Sequence, residues 1–365
     1  MSILAIVFLA ITAINIGYYI SFFSFSFSKI SSDSKLVNIP VSIVICAKNE
    51  AENLRDFLPL ILSQEYSDFE VILINDASND ETLEVMEDFQ AKNEKIKIVN
   101  VENNEAFWAN KKYALTLGIK KAKHKYLLFT DADCRPESSN WIKEMVLNFA
   151  ENKSIVLGYG GYFHGKNFLN KLIRFETLLT AIQYFSFARL GNPYMGVGRN
   201  LAYTSDEFYA HNGFASHLYI RSGDDDLFVN QAASGSNTAI CFSHGSITRS
   251  YPKKTFGEWF TQKRRHVSVA KNYKKKDQFL LALFYASQLL FWLSFILVVI
   301  FADWKIALCG LAVRLLIQFL VYFGAGKKLN ERDIVWIFPF LELFLVSFQL
   351  VIFISNLMSK PQHWK

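Results

Sequence analysis

Apolar positions along this chain follow two different rhythms. Residues 3–27, 279–301, 306–323 and 334–357 are long runs with almost no charge, each of a length that crosses a bilayer as a helix. Between residues 40 and 273 the apolar residues instead come in blocks of strand length separated by amphipathic stretches. VSIVIC (41–46), FEVILIN (69–75), residues 96–101 and YLLFT (126–130) read as strands, and residues 49–63, those from Glu81 onward and 111–122 read as helices. This βαβαβαβ order predicts an α/β domain with a mainly parallel sheet covered by helices on both faces. Further on, LGYGGYF (157–163) reads as one strand with close backbone approach. Residues 168–190 read as an aromatic-rich helix, either packed in a core or lying at a membrane interface.

The flanking charges give the spans a direction. Lys29 and Lys35 follow the first run, and Lys327, Lys328 and Arg332 crowd the 324–333 loop, so both places are expected inside. The first run lacks a basic leader and a small-x-small cleavage site, which favours an anchor over a signal peptide. The expected order is N-terminus outside, central domain inside, three further crossings, C-terminus outside. Two of the spans carry ionisable residues, Arg314 and Glu342. Counted from the inner loop they lie about twelve and about eight residues deep, an offset of about 6 Å that a long arginine covers. Pairing between the two helices is therefore expected, with separate snorkelling or a head-group contact for Glu342 as the alternatives.

Composition agrees with a mixed architecture. The 365 residues are 51% hydrophobic and include 34 Phe, too apolar for an ordinary soluble enzyme, yet 20% are charged, too many for a chain buried wholly in lipid. The net charge is +6, and basic residues concentrate in 253–276, just before the second apolar run. That placement points to an anionic membrane surface or a phosphate ligand and away from nucleic acid, with Lys274, Lys275 and Lys276 against lipid. Cys46, Cys134, Cys241 and Cys309 are widely spaced with no C-x-x-C, so neither a zinc site nor a disulfide framework is indicated.

Candidate chemistry gathers where the predicted strands end. Three polar clusters, Ala47 to Glu50, Asp76 to Asp80 and Asp131 to Asp133, occupy the carboxyl ends of successive strands, where open α/β sheets bind ligands. Alternation puts Asp131 and Asp133 on one side of an extended chain, a disposition suited to one hard divalent cation; a solvated turn is the alternative. A second acidic cluster, Asp224, Asp225 and Asp226, suits a general base through mutual repulsion, or a helix N-cap before LFVNQAA.

The succession VSIVICAKNEAENL, NDASNDET, NKKYALTLGI and FTDADCRP resembles the nucleotide-sugar-binding half of family 2 glycosyltransferases, over roughly residues 40–273. No G-x-G-x-x-G supports a dinucleotide fold. The resemblance implies a GT-A catalytic domain and inverting transfer from a nucleotide diphosphate sugar. By resemblance Asp76 contacts the nucleoside, Ala47 and Glu50 flank base and ribose, and Lys111 lies near the donor. Asp131 and Asp133 match the D-x-D pair, Asp133 being the more direct ligand of Mg²⁺ or Mn²⁺. Asp225 matches the base of the (E/D)-D motif, beside Asp224. The segment holding Arg199 and Asn200 matches an acceptor-side position, or is simply a tight turn. QKRRH resembles the Q-x-x-R-W motif, with Gln262 and Arg265 in register, Arg264 between them on the donor, and His266 standing where an acceptor-facing Trp is usual.

The expected division is 1–28 anchor, 38–250 GT-A domain, 251–277 basic interfacial segment and 278–358 membrane helices. The expected protein sits in a bacterial inner membrane with its catalytic domain in the cytoplasm and a lipid or lipid-linked acceptor. A processive polysaccharide synthase is the enzymatic alternative, disfavoured by only four spans. A membrane scaffold or regulator with a degenerate nucleotide-sugar site is the non-enzymatic one.

Overall fold

The computed structural model describes residues 1–29, 38–102, 111–220 and 222–359. Lys35 therefore lies outside the described residues. The described residues form two compact units, one of helices (1–29, 165–187 and 254–359) and one built on sheets (from 38 to 164 and from 188 to 253).

The first helix, α1 (Ile3–Ser26), belongs to the helical unit. The sheet unit begins β1 (Val41–Ala47), α2 (Ala51–Leu62), β2 (Phe69–Asp76), α3 (Thr82–Lys92), β3 (Ile96–Val101), α4 (Lys111–Lys121), β4 (Tyr126–Asp131). These elements fall within a residue or two of their expected bounds. β1 and β2 are buried almost throughout, as strands covered on both faces must be. The main sheet then takes in β6 (Ile155–Leu157), β8 (Leu201–Thr204) and β9 (Thr238–Ile240), giving the order β3-β2-β1-β4-β8-β6-β9. β1 pairs parallel with both β2 and β4, while β8 runs antiparallel to β4 and β6. The chain therefore reverses its direction of travel across the sheet at β1/β4, and a crevice opens at the carboxyl ends of those strands.

A second sheet of β5 (Cys134–Pro136), β7 (Gly160–Tyr162) and β10 (Thr248–Ser250) has β10 in its centre. The single strand expected at 157–163 is thus two, β6 in the main sheet and β7 in the small one. The break has a local cause. At Gly158 the Asn200 side chain packs so closely that a Cβ would lie 2.6 Å from its Cγ, and the Gly158 N–H donates to the Asn200 carbonyl. Short helices α5 (Trp141–Val146), α7 (Ser205–Ala210) and α8 (Asp226–Ala232) complete the unit.

The helical unit holds α1, α6 (Phe168–Arg189, through residue 187), α9 (Phe256–Val269), α10 (Lys275–Phe301), α11 (Trp304–Lys328), α12 (Arg332–Val335) and α13 (Phe338–Met358). Four of them, α1, α10, α11 and α13, are long and apolar enough to cross a membrane. The last expected span, 334–357, is divided into α12 and α13, with Pro339 in the first turn of α13, where its missing N–H costs nothing. Lys328 donates to the Phe25 and Ser28 carbonyls, so the C-terminal ends of α1 and α11 meet. On α6, Arg174 is buried against Glu331, just before α12, and Asp333 in its first turn (2.8 and 2.9 Å).

Arg314 and Glu342 are paired. Both are fully buried, with Arg314 Nη2 2.7 Å from Glu342 Oε1 and Nη1 3.0 Å from Oε2. Asn15 and Gln318 accept further guanidinium N–H bonds, and Gln318 and Tyr19 donate to the carboxylate. Breaking such a pair from one side leaves a charge without its partner in an apolar surround, on the order of 3 kcal/mol even on the lenient insertion scale. Arg314→Glu and Glu342→Arg should each lower melting temperature in detergent, and the double swap should recover much of both losses because the flanking amides can turn over. Simple additivity of the two losses would show that the pair is not coupled.

Candidate active site

Two loops at the ends of β1 and β2 are built as one piece. Asn49 adopts a left-handed conformation (φ 56°), which lets its N–H reach Ser78 Oγ (3.0 Å) while its Oδ1 accepts from the Asn79 N–H (2.8 Å). The Glu50 N–H donates to Thr82 Oγ1, and Asp80 accepts from the first-turn amides of both α2 and α3. Asp80 thus caps two helices, and Ala47, Glu50 and Asp76 are presented on a cross-braced floor. Asp76 is buried at the last position of β2, and burial raises its pKa against the pull of Lys48 and Lys111. Burial also raises that of Glu50, with the charges of Asp133 and Asp131 adding to the effect.

The next strand brings the acids. β4 ends in Asp131, and a two-residue turn separates it from β5, so Asp133 emerges between the two sheets. Ligand atoms of Asp131, Asp133 and Cys134 lie within 4.8 Å of one another. Burial, then the charge of Asp131, raises the Asp133 pKa. Two carboxylates crowded in this way fit a divalent cation by their hard oxygen donors, whereas the buried Cys134 thiol, raised well above its ordinary pKa, donates to Asp133 Oδ1 (3.4 Å).

Lys111, the first residue of α4, joins the two acidic clusters. Its Nζ stands 2.8 Å from Asp131 Oδ1 and 3.0 Å from Asp224 Oδ2. Burial opposes its charge, but the two carboxylates outweigh it and raise the pKa well above the ordinary value. Asp224 is likewise raised by burial but lowered more by Lys111, and stays ionised. Asp225 differs. Burial and the neighbouring Asp224 push it up to about 6, against the lowering by Lys111 and by two backbone amides, Gly198 N–H to Oδ2 (2.6 Å) and Asp226 N–H to Oδ1 (2.8 Å). Asp225 is the N-cap of α8, so the capping alternative describes part of what it does. One cleft is lined by Cys46, Lys111, Thr130, Asp131, Gly198, Tyr203, Asp224 and Asp225. Sequence reasoning passed over Gly198, although a glycine facing an acidic cluster marks close approach: a Cβ there would stand 3.3 Å from Asp225 Oδ2.

Other expected residues go elsewhere. Asn200 is 0% exposed and does not reach the cleft; its amide accepts from Trp141 Nε1 and donates to the Tyr159 and Ser246 carbonyls, which locks the β6/β7 break. The acceptor position expected for it is corrected to a structural one. Arg199 lies over the Tyr162 ring (4.2 Å) and donates to the Gly161 carbonyl, and its charge lowers the Asp133 pKa. Gln262, Arg264, Arg265 and His266 are on α9 in the helical unit. There Arg264 donates to Asn356 Oδ1 (2.9 Å) and to the Ser355 carbonyl (3.2 Å) near the C-terminal end of α13, a correction to its expected place on the donor: the last carbonyls of a helix have lone pairs that a guanidinium can use.

Residues 42–208 match the family described as Glycosyl transferase family 2. That span is a domain similar to that family. The match includes Asp76, Lys111, Asp131 and Asp133 and ends before Asp224 and Asp225. A stretch of 93 residues, 26% of the chain, is 41% identical to a poly-beta-1,6-N-acetyl-D-glucosamine synthase of Staphylococcus epidermidis and spans 21% of that protein's length. Glycosyltransferase AglE of Haloferax volcanii is 27% identical over 226 residues, 60% of this chain and 68% of that protein. Among solved structures, a mannosyltransferase of Pyrobaculum calidifontis in complex with GDP-Man and Mn²⁺ superposes with a TM-score of 0.60 at 15% identity, over 93% of this chain and 98% of that one. The mainly parallel sheet expected from the strand pattern, and the GT-A-like fold that the resemblance implied, are the fold observed.

Proposed function

We propose that this chain is a membrane-held, inverting glycosyltransferase that moves a sugar from a nucleotide diphosphate donor to an acceptor hydroxyl. The observation that carries the reading is Lys111, whose ammonium ties the D-x-D carboxylate Asp131 to Asp224, next to Asp225, within one cleft. Ala47, Glu50 and Asp76 take the nucleoside, on the loops braced by Asn49 and Asp80. Asp131 and Asp133 hold Mg²⁺ or Mn²⁺, which when bound supplies positive charge to the departing diphosphate. Asp225 takes the acceptor hydroxyl proton as that oxygen bonds to the anomeric carbon and the bond from that carbon to the diphosphate oxygen breaks. A carboxyl titrating near 6 is matched to that task, because it is ionised at neutral pH yet still basic enough to receive the proton.

Gln262 and Arg265 serve the diphosphate, Arg199 balances charge beside Asp133, and His266 faces the acceptor. Residues 38–250 carry the chemistry, 251–277 lie at the interface, and 1–28 and 278–358 hold the protein in a bacterial inner membrane. The basic 324–333 loop supports a cytoplasmic catalytic face, where nucleotide sugars are made.

The acceptor is a lipid or lipid-linked hydroxyl, brought to the site within the bilayer. Similarity to the S. epidermidis synthase favours a second reading, processive polymer synthesis. Purified full-length protein in vesicles, offered a panel of nucleotide sugars and examined by mass spectrometry, separates them: one hexose-sized increment on a lipid supports the first reading and a ladder of increments the second. Donor binding without transfer or hydrolysis to any acceptor would leave a degenerate binding protein.

A further inference from the structure

α4 opens with two consecutive lysines, and neighbouring side chains on a helix diverge by about 100°, so both cannot face the same acids. Lys111 faces the cleft. Lys112, only 1% exposed, turns to the backbone leading into the acidic cluster, where its Nζ lies 2.9 Å from each of three carbonyl oxygens, those of His217, Ile220 and Ser222. An ammonium has three rotatable N–H donors, which three converging acceptors can use together. Convergence of carbonyl dipoles in a buried place is unfavourable in itself, and it persists because a cation sits at the focus. Just beyond them the chain passes through Gly223 in a left-handed conformation (φ 88°) and delivers Asp224 and Asp225.

We propose that Lys112 is a positioning residue for the acidic cluster: its ammonium fixes the backbone before Gly223, and so sets where Asp224 meets Lys111 and where Asp225 meets the Gly198 amide. The first two residues of α4 then grip one loop twice, Lys111 by a side chain and Lys112 by the main chain. Burial brings the Lys112 pKa down to about 8, against the acids Asp224, Asp226 and Asp225, so the ammonium still prevails at neutral pH. Its neighbour His217 is held down to about 4 by burial and by Lys112, and brings no second cation to the cage. The inference rests on the reading of Asp225 as the base, but its structural part does not.

Lys112→Met keeps the aliphatic stem and removes the donors. In the full-length protein kcat should fall at least thirtyfold, with the KM for donor and the affinity for nucleoside diphosphate in Mn²⁺ within threefold of wild type. Amide exchange in peptides covering 214–228 should quicken at least tenfold, while that of β1 and β4 stays unchanged. Lys112→Ala opens room at the cage, and methylammonium should restore part of kcat where tetramethylammonium, with no N–H, restores none at equal ionic strength. Unchanged exchange in 214–228, or equal rescue by the two cations, overturns the proposal. Should Lys112→Met not fold, Lys112→Arg keeps the charge and is read by the same exchange measurement. If the wild type transfers no sugar, the exchange and nucleotide-binding results still decide the role of Lys112, and only the catalytic reading falls.

Discussion

Replacing Asp225 by Asn lowers kcat by about a thousandfold or more, the scale set by removal of a positioned general base. An amide has nearly the shape of the carboxylate but cannot take the acceptor proton. In wild type kcat/KM should rise about tenfold per pH unit below about 6 and level off above it, because the base must be ionised. The variant should lose that limb. The substitution is not innocent structurally, since the two Asp225 oxygens accept from the Gly198 and Asp226 amides and an NH₂ group must now face one of those N–H groups. A loss of about 1–2 kcal/mol of stability is therefore expected alongside the catalytic loss.

The same pKa makes a second, independent signature. The folded value of about 6 lies above the ordinary 3.8, so the fold favours the protonated form. That contribution is present in full below the unfolded pKa and is lost as pH rises through the folded one. Between about pH 4 and pH 6 the wild type should lose stability relative to Asp225→Asn, with the gap flat above. Equal losses of nucleotide binding and of folding, with the pH limb intact, would assign Asp225 to capping alone.

Why some of this was legible beforehand is a matter of range. A strand buried on both faces has to be written as an unbroken apolar run, so β1, β2 and β4 and their polar ends stood out, and the D-x-D acids with them. The spans stood out for the same reason, and the Arg314–Glu342 pair followed from depth alone. Contacts between distant segments leave no local mark. Nothing near Asn200 says that Trp141, Tyr159 and Ser246 will consume its amide. Nothing in QKRRH says that Arg264 will turn to the end of α13 while Lys263 pairs with Glu176. The split of residues 157–163 into β6 and β7 depends on that same buried Asn200. Lys112 is the most instructive case. Its neighbour was singled out by resemblance, whereas Lys112 donates to the backbone carbonyls of His217, Ile220 and Ser222, which no sequence motif encodes.

Stripping divalent cations should abolish sugar transfer, and Asp133→Ala should weaken metal-dependent nucleoside diphosphate binding by a hundredfold or more. The argument is a balance of charge. Asp131, Asp224 and Asp225 line one cleft and Asp133 lies beside Asp131; Lys111 is shared between Asp131 and Asp224, and the charge of Arg199, seated on Tyr162, acts on Asp133. A diphosphate entering beside these acids adds further negative charge, which two side-chain cations cannot offset in a partly desolvated site. Oxygen donors from Asp131 and Asp133 suit Mg²⁺ or Mn²⁺, with phosphate oxygens and water free to complete the shell. Calorimetry of nucleoside diphosphate binding, with and without Mn²⁺, reads this without any need for turnover. Wild type should bind tightly only with the metal, and Asp133→Ala weakly in both conditions. Asp131→Asn is the informative companion, because it also frees Lys111 from one of its two partners. It should weaken metal-dependent binding less than Asp133→Ala if Asp133 is the more direct ligand. Turnover that survives exhaustive chelation, with diphosphate affinity indifferent to Mn²⁺, would remove the metal from the D-x-D pair and leave Lys111 and Arg199 as the counter-charges of the leaving group.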